Sequence, residues 1–262
     1  MKIHDGTRAI VTGASKGIGR ATARALAGRG AKLGLIARGE EGLEQLASEL
    51  GDGATVLPAD VADRGSVTAA VEKFAEQEGG LDIAVANAGI ARYAPFTEQD
   101  PEDVERMVLT NVLGTMNTVR AALEPMLDSA SGHIVVLSSG AGLRAFPWAA
   151  VYGATKAADK GFAEALRHEL SGTGVSLTTV FPGEVATSLH VEATQLPDWR
   201  NSKDAIPPEL VASATIEAIE GDKRELHIPG AVKLLTINDV APGLLDRMLA
   251  MVRGGGAAPR RD

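Results

Sequence analysis

Short apolar runs alternate with helical patterns along the chain, and this alternation limits the fold more than any other feature. The apolar runs have the length of strands, and several helical stretches between them open on Asp, Ser or Pro. Strands that are apolar on both faces and joined through helices form parallel sheets with right-handed crossovers and helices on each side. The sequence therefore predicts a doubly wound parallel α/β sheet in three layers. The predicted strands are 8–12, 32–37, 54–57, 82–86, 133–137, 176–181 and 225–228, and the predicted helices are 17–29, 40–50, 63–78, 101–128, 149–171 and 207–220.

A glycine-rich turn follows the first predicted strand and opens the first predicted helix. It reads Thr12-Gly13-Ala14-Ser15-Lys16-Gly17-Ile18-Gly19. Ligands of a doubly wound sheet lie beyond the carboxyl ends of its strands, and the free N–H groups of a helix N-terminus favour a pyrophosphate. Because the glycines allow a sharp turn and close approach of phosphate, the segment predicts a dinucleotide site. An ordinary structural turn is the alternative, since the spacing is GxxxGxG and not GxGxxG.

The end of the second predicted strand indicates which dinucleotide is bound. NAD-selective sites usually have an acidic residue there that binds the ribose 2′-OH, whereas this chain has Ala37 followed by Arg38. Arg38 and Lys16 can converge on a 2′-phosphate, which an arginine binds in a forked geometry. We therefore predict NADP(H) over NAD(H). Alternatively, both cations are solvated and Glu40 or Glu41 binds the ribose.

Two further segments lie where cofactor contacts are expected. Asp60-Val61, after the third strand, can hold an adenine through a carboxylate and a backbone N–H, although Asp60 or Asp63 can equally cap the next helix. Asn87-Ala88-Gly89, after the fourth strand, can lie against a ribose because Gly89 allows close approach of the backbone. Alone, this tripeptide is also typical of a turn.

The candidate chemistry lies on Tyr152 and Lys156, which are four residues apart in a predicted helix. That spacing puts both side chains on one face. A fixed positive charge favours the phenolate of a nearby tyrosine and lowers its pKa, so such a phenol can exchange a proton with a carbonyl or alcohol oxygen. Ser139, at the end of the apolar run 133–138, can hold and polarise the same oxygen. The set predicts a nicotinamide-dependent carbonyl/alcohol oxidoreductase.

Composition excludes several other classes. A net charge of −8 and a pI near 5.2 argue against a nucleic-acid-binding protein. The absence of cysteine removes thiol chemistry, and the five scattered histidines disfavour a metal site. Apolar runs fall short of the roughly 20 residues of a membrane span, and the N-terminus has no signal-peptide pattern. These features predict a cytoplasmic protein with no membrane span.

Taken together, the motifs resemble those of the short-chain dehydrogenase/reductase family, over about residues 8–190. The resemblance implies a Rossmann-like, seven-stranded parallel sheet in a single domain, predicted here over 1–253 with a tail at 254–262. It implies that Tyr152 is the acid/base and that Ser139 orients the substrate carbonyl. Lys156 would lower the pKa of Tyr152 and hold the nicotinamide ribose. A homodimer or homotetramer is also expected, because relatives commonly pair the helices that correspond to 101–128 and 149–171.

The resemblance adds two more groups of residues. Asn111 would complete a tetrad, with a local distortion of its helix freeing a backbone carbonyl for a water that relays protons to Lys156; an ordinary mid-helix asparagine is the alternative. The segment 182–187 would close over the nicotinamide. Its predicted contacts are Pro182, Gly183, Val185 and Thr187. The chain departs from the family in having Ala86 where a second asparagine is more frequent before Asn87.

The substrate pocket is predicted from aromatic and apolar residues beside Tyr152 and after Pro182-Gly183. The chain has only two Trp, two Tyr and five Phe, so two aromatics so close to Tyr152 favour an apolar pocket and a lipophilic substrate. Packing in the core or at a subunit interface is the alternative. The predicted pocket residues are Ser139, Leu143, Phe146, Trp148, Leu189 and Val191, with a substrate loop at 188–206.

Two matters stay open in the sequence. The amphipathic segment 230–252 can cover a substrate entrance, pack on a partner subunit or touch a membrane surface. The function also has alternatives: a protein that senses the dinucleotide without catalysis, or an epimerase or dehydratase built on the same frame. Intact Ser139, Tyr152 and Lys156 disfavour the sensor.

Overall fold

Seven parallel strands form one sheet in the computed structural model, which describes residues 1–187, 189, 205–245 and 247. The strands are β1 (Arg8–Thr12), β2 (Lys32–Ala37), β3 (Ala54–Pro58), β4 (Ile83–Ala86), β5 (Gly132–Leu137), β6 (Val175–Pro182) and β7 (Glu225–Ile228). Their order is β3-β2-β1-β4-β5-β6-β7, so the winding reverses between β1 and β4. The predicted doubly wound, seven-stranded parallel sheet is therefore confirmed. A reversal of this kind opens a crevice at the carboxyl ends of the strands.

Helices cover both faces of the sheet. They are α1 (Gly17–Ala27), α2 (Glu40–Leu50), α3 (Arg64–Glu78), α4 (Pro101–Met107), α5 (Gly114–Asp128), α6 (Gly140–Leu143), α7 (Ala150–Glu169) and α8 (Pro208–Glu220). Two 3₁₀ segments, Phe96–Glu98 and Gly230–Asp239, and one π-helical segment, Val108–Leu113, are also present. None of the helices in the described ranges is long and apolar enough to cross a membrane.

Two buried apolar layers hold the sheet between its helices. Phe74 of α3 packs with Ile10 on one face, together with side chains from α5 and α7. Leu26 of α1 packs with the next strand residue, Val11, on the other face, together with side chains from α2 and α8. Neighbouring strand residues thus enter opposite layers, as strand geometry requires. The three-layer prediction is confirmed.

The predicted helix 101–128 is interrupted. A π-helical segment, Val108–Leu113, separates α4 from α5, so the distortion expected near Asn111 is present. Asn111 is fully buried, and its side chain bonds the backbone of Ile90 in both directions at 2.8 and 2.9 Å. Tying an amide side chain to a neighbouring loop in this way fixes the turn that carries it. Single π turns inside α-helices are frequent at functional sites.

Candidate active site

A cleft of about 1090 Å³ runs along the carboxyl edge of the sheet. It is bounded by the turns that follow β1, β2, β3, β4, β5 and β6, and by α7. Most of the predicted site residues line it. They are Gly13, Ser15, Lys16, Gly17, Ile18, Arg38, Asp60, Val61, Asn87, Ala88, Gly89, Ser139, Phe146, Tyr152, Lys156, Pro182, Gly183, Val185, Thr187 and Leu189.

The glycine turn is closely packed against the end of β4. A β-carbon on Gly19 would lie 2.3 Å from the Gly13 carbonyl oxygen and 2.5 Å from Asn87 Nδ2, so Gly19 supports the turn without lining the cleft. Gly13 and Gly17 have φ of 68° and 59°, which favours glycine. Thr12 Oγ1 accepts a hydrogen bond from the Asn87 N–H at 3.0 Å, which joins this turn to the next strand.

The first turn of α1 leaves a place for an anion. Its N-cap residue, Lys16, makes no side-chain capping bond, and the helix N-terminus faces the cleft through Gly17 and Ile18. The first N–H groups of a helix have no partner within the helix, and they carry partial positive charge. The glycines of the turn before this helix leave space that side chains at their positions would fill. This end of the cleft therefore fits a dinucleotide pyrophosphate.

Two cations lie at the same end of the cleft. Arg38, just beyond β2, and Lys16 are exposed and line the cleft, and neither side chain forms an ion pair or a hydrogen bond with any described residue. The two acidic side chains named as alternatives differ from each other. Glu41 lines the cleft and Glu40 does not, although both are exposed.

The two aspartates that follow β3 make different contacts. Asp63 is the N-cap of α3 and accepts a hydrogen bond from Ser66 N at 3.1 Å. Asp60 lines the cleft and accepts from Ala62 N at 3.0 Å. The helix cap is therefore Asp63, which leaves Asp60 at the cleft wall.

Ser139 and its neighbour Ser138 have different contacts. Ser139 is the N-cap of α6, and its Oγ accepts from Ala141 N at 3.1 Å, so its own proton points to no described acceptor. Ser138 is buried and donates to the Lys156 carbonyl oxygen at 2.7 Å. Ser138 thus fixes α7 against the end of β5, and Ser139 presents a hydroxyl to the cleft.

Lys156 is buried below the cleft floor by β5 and α7. Its Nζ donates to the Leu137 carbonyl oxygen at 2.7 Å and to Asp159 Oδ2 at 2.9 Å. Burial disfavours the ammonium, but attraction to the Asp159 carboxylate and to Tyr152 outweighs it and leaves the pKa of Lys156 above its ordinary value. Burial also raises the pKa of Asp159, against the opposing effect of Lys156. The short contact identifies a buried ion pair.

Tyr152 stands one turn before Lys156 on α7, and its side chain is 7% exposed. The ring meets that of Tyr93 edge-on, with centroids 5.9 Å apart. The Tyr152 carbonyl accepts a hydrogen bond from the Thr155 hydroxyl, which in turn accepts from Asn111 Nδ2 at 3.0 Å. Asn111 therefore supports α7 from behind and is not itself among the residues that line the cleft.

Not all of the residues predicted for the substrate pocket line the cleft. Phe146 and Leu189 do pack around Tyr152 with Tyr93 and Ile90. Leu143 does not line the cleft, because α6 turns its side chain into a cluster with Phe181 and Val232. Trp148, half-buried with a left-handed φ of 68°, is also absent from the described cleft lining. Val191 lies outside the described residues.

Sequence reasoning named neither Ile90 nor Tyr93, which line the cleft beside Tyr152, nor the partner of Lys156. Leu235, in the 3₁₀ segment after β7, lines the cleft, which places part of the amphipathic segment at its wall. Asp159 escaped notice although it stands three residues beyond Lys156, on the same helical face. The available signal was an acidic residue on the face of the helix that is expected to point inward.

Comparisons with known proteins agree with this arrangement. A family model described as short chain dehydrogenase matches residues 7–197. An uncharacterized oxidoreductase of Staphylococcus saprophyticus is 36% identical over 216 residues, covering 81% of this chain and 90% of the relative. Another from Staphylococcus epidermidis is 37% identical over 211 residues, with 80% and 90% covered.

Solved structures share the fold over most of their length. An alcohol dehydrogenase from the archaeon Thermococcus sibiricus, complexed with 5-hydroxy-NADP, is 30% identical with a TM-score of 0.76, covering 85% of this chain and 95% of its own. A short chain dehydrogenase/reductase from Burkholderia phymatum, in complex with NAD, is 26% identical with a TM-score of 0.84, covering 94% and 97%. A 3-ketoacyl-(acyl-carrier-protein) reductase from Brucella melitensis, complexed with NADH, is 27% identical with a TM-score of 0.78, covering 86% and 97%.

Proposed function

The chain belongs to the short chain dehydrogenase family, and from that premise we propose that it is an NADP(H)-dependent oxidoreductase. It interconverts a carbonyl group and a secondary alcohol on a lipophilic small molecule. The observation that carries the proposal is the convergence of Ser139, Tyr152 and Lys156 on one cleft whose other end is the glycine turn at α1. The groups that would bind the dinucleotide and the groups that would transfer the proton therefore line the same cleft.

Each of these side chains has a role that follows from its contacts. Ser139 Oγ already accepts from a backbone N–H, so its proton is available for the substrate oxygen. Tyr152 gives a proton to that oxygen during reduction and takes it back during oxidation. When the dinucleotide is bound, its nicotinamide exchanges a hydride with the substrate carbon. Lys156 holds positive charge one turn from the phenol, where it stabilises the phenolate.

Asn111 has a supporting role in this proposal. Its carbonyl lies in the π segment and accepts from the Thr115 hydroxyl at 2.8 Å, while its side chain holds Ile90 and Thr155. These bonds keep α7 and the loop after β4 at a fixed separation. Asn111 therefore positions Tyr152 and Lys156. Its carbonyl lies at the end of a series of polar groups that extends to Lys156.

The preference for NADP(H) rests on the residues beyond β2. Arg38 and Lys16 line the cleft without a described partner, and β2 ends on Ala37 where an acidic residue would select a free 2′-hydroxyl. The solved relatives carry an NADP analogue in one case and NAD or NADH in others, so this chain's own cations support the preference.

The substrate preference rests on the cleft wall around Tyr152. Phe146, Leu189, Tyr93 and Ile90 pack there and offer aromatic and aliphatic surface to the molecule that carries the reacting carbon. Such a wall favours ketones with apolar substituents over small hydrophilic ones.

The test is turnover. Oxidation of NADPH is followed against ketones and aldehydes graded in size and polarity, with NADH in parallel. We expect turnover that rises with the apolar surface of the ketone and is faster with NADPH at limiting cofactor. Protein that binds NADPH but reduces no member of the panel would contradict the proposed activity.

A further inference from the structure

Asp159 is a buried carboxylate that the proposed mechanism leaves without a task. It lies on α7, one turn beyond Lys156, with its side chain 1% exposed. Its Oδ2 is 2.9 Å from Lys156 Nζ. Removing a carboxylate from water is costly, and a buried ion pair contributes little more stability than an apolar pair of similar volume. A purely structural explanation for Asp159 is therefore weak.

The described groups around this ion pair are uncharged polar groups, apart from the ionisable phenol of Tyr152. The Leu137 carbonyl faces Lys156 from β5, and Asn111 and Thr115 face α7 from the π segment and α5. The Thr115 hydroxyl lies within hydrogen-bond reach of both Asp159 and the Asn111 carbonyl. On α7 itself, Tyr152 is the titratable group whose charge acts on Lys156 in addition to Asp159. Tyr93 is the titratable side chain that faces the Tyr152 ring.

Lys156 therefore lies between two groups that compete for its charge. Tyr152 stands one turn before it and Asp159 one turn after it on the same helix. A carboxylate in contact with the ammonium cancels much of the positive potential that reaches the phenol. It also holds the ammonium toward Leu137 at the end of β5. Asp159 thus acts on Tyr152 through Lys156.

We propose that Asp159 is a positioning residue that sets the pH range in which Tyr152 exchanges its proton. Its carboxylate fixes the Lys156 ammonium against β5 and offsets part of its charge. The inference rests on the proposed function, because it assumes that Tyr152 is the proton carrier. It adds to that function a residue, Asp159, whose charge alters the pH at which Tyr152 exchanges its proton.

The first test measures the phenol directly and needs no turnover. The chain has two tyrosines, so a Tyr93→Phe background leaves Tyr152 as the only one. Ultraviolet absorption of the phenolate is then titrated with and without Asp159→Asn, with NADPH binding as the check on folding. Seven residues along a helix span roughly 10 Å, and removing one charge at that distance shifts a titration by about one pH unit. We expect the midpoint to move to lower pH by about that amount.

Matched variants distinguish the effect of the Asp159 charge from the effect of a structural disturbance at that position. Asp159→Glu keeps the negative charge and should leave the midpoint near that of the Tyr93→Phe parent. Asp239→Asn removes the carboxylate that pairs with Lys160 at 3.1 Å on the exposed side of α7, and it should have no effect. If Asp159→Asn does not fold, Asp159→Ala, which lets water solvate Lys156, should shift the midpoint in the same direction. An unchanged or raised midpoint in a folded Asp159 variant would overturn the proposal.

Turnover then distinguishes this inference from the function on which it rests. With an active substrate, the pH profile of alcohol oxidation should move to lower pH in Asp159→Asn, by the same shift as the phenol titration. Absent turnover in the wild-type protein contradicts the proposed function but leaves the spectroscopic result standing. Normal turnover with an unchanged pH profile contradicts the role of Asp159 alone.

Discussion

Arg38 lies just beyond β2 and lines the cleft, and Arg38→Ala is the most specific test of the proposed preference for NADP(H). Charged hydrogen bonds contribute roughly 1.5–3 kcal/mol, so we expect NADPH to bind about 10- to 100-fold more weakly and NADH to bind as before. Fluorescence titration of both cofactors measures this. Arg64→Ala, which removes an exposed arginine that lies outside the described cleft lining, is the matched control. Equal loss for both cofactors would contradict a 2′-phosphate site.

The residue scale also shows where sequence reasoning succeeds. The convergence of Tyr152, Lys156 and Ser139 on one cleft was predictable, because helical spacing and the end of an apolar strand fix their positions through local geometry. Leu143 and Trp148 do not line the cleft, because α6 and a left-handed residue turn the chain between Ser139 and Tyr152. The partner of Lys156 was also not foreseen. Asp159 stands three residues beyond Lys156 on α7, so helical spacing puts the two side chains on one face, whereas the burial of that face depends on tertiary packing.

Among the elements, the glycine turn at the start of α1 makes the sharpest prediction. A methyl group at position 19 would overlap the Gly13 carbonyl, so Gly19→Ala should displace the turn. Overpacking of this kind costs about 1–3 kcal/mol, measurable as a lower free energy of unfolding, and dinucleotide affinity should fall with it. Gly161→Ala on α7 meets no atom within 4 Å and serves as the control. Unaltered NADPH binding by Gly19→Ala would contradict the assigned turn.

Element boundaries follow from local signals where those signals are strong. The predicted ranges for β1, β2 and α2 agree with the structure, because apolar runs in the two strands, an amphipathic pattern in the helix and flanking glycines define them. The helix predicted at 101–128 is interrupted by a π turn at 108–113, which includes Asn111, the residue where a distortion was expected. The Asn111 side chain in this turn bonds the backbone of Ile90, which is 21 residues away along the chain. Helix propensity cannot report such a contact.

For the molecule as a whole, a buried histidine predicts how stability changes with pH. His133 in β5 bonds Thr178 Oγ1 at 2.8 Å, and burial lowers its pKa from 6.5 to about 4. The unfolded chain therefore takes up a proton below about pH 6.5 that the folded protein does not accept until about pH 4, so stability falls as pH falls through that window. Between about pH 7 and about pH 5 the loss is roughly 2 kcal/mol.

Denaturant unfolding of wild type and His133→Gln at both pH values measures this loss. The variant should lack that part of the pH dependence, whereas His168→Gln, an exposed histidine on α7, should keep it. Parallel pH dependence in wild type and His133→Gln would show that His133 titrates normally in the folded state.

The overall architecture was the most predictable level, because a long series of β and α patterns admits few topologies. The same series places the carboxyl ends of six strands at one edge, which explains why motifs spread over nearly 180 residues meet in one cleft. The homodimer or homotetramer stays a prediction. Val108, Leu109 and Leu113 expose apolar side chains beside α5, one of the helices expected to pair.

The most direct test of the central claim compares wild type with Tyr152→Phe for NADPH-dependent reduction of the best ketone in the panel, at matched NADPH saturation. The substitution removes one hydroxyl and leaves the ring beside Tyr93. We predict that NADPH binding is retained and that kcat falls by about 100-fold or more, as expected for loss of a general acid. Undiminished turnover by Tyr152→Phe would contradict the account, because the proton would then come from another group.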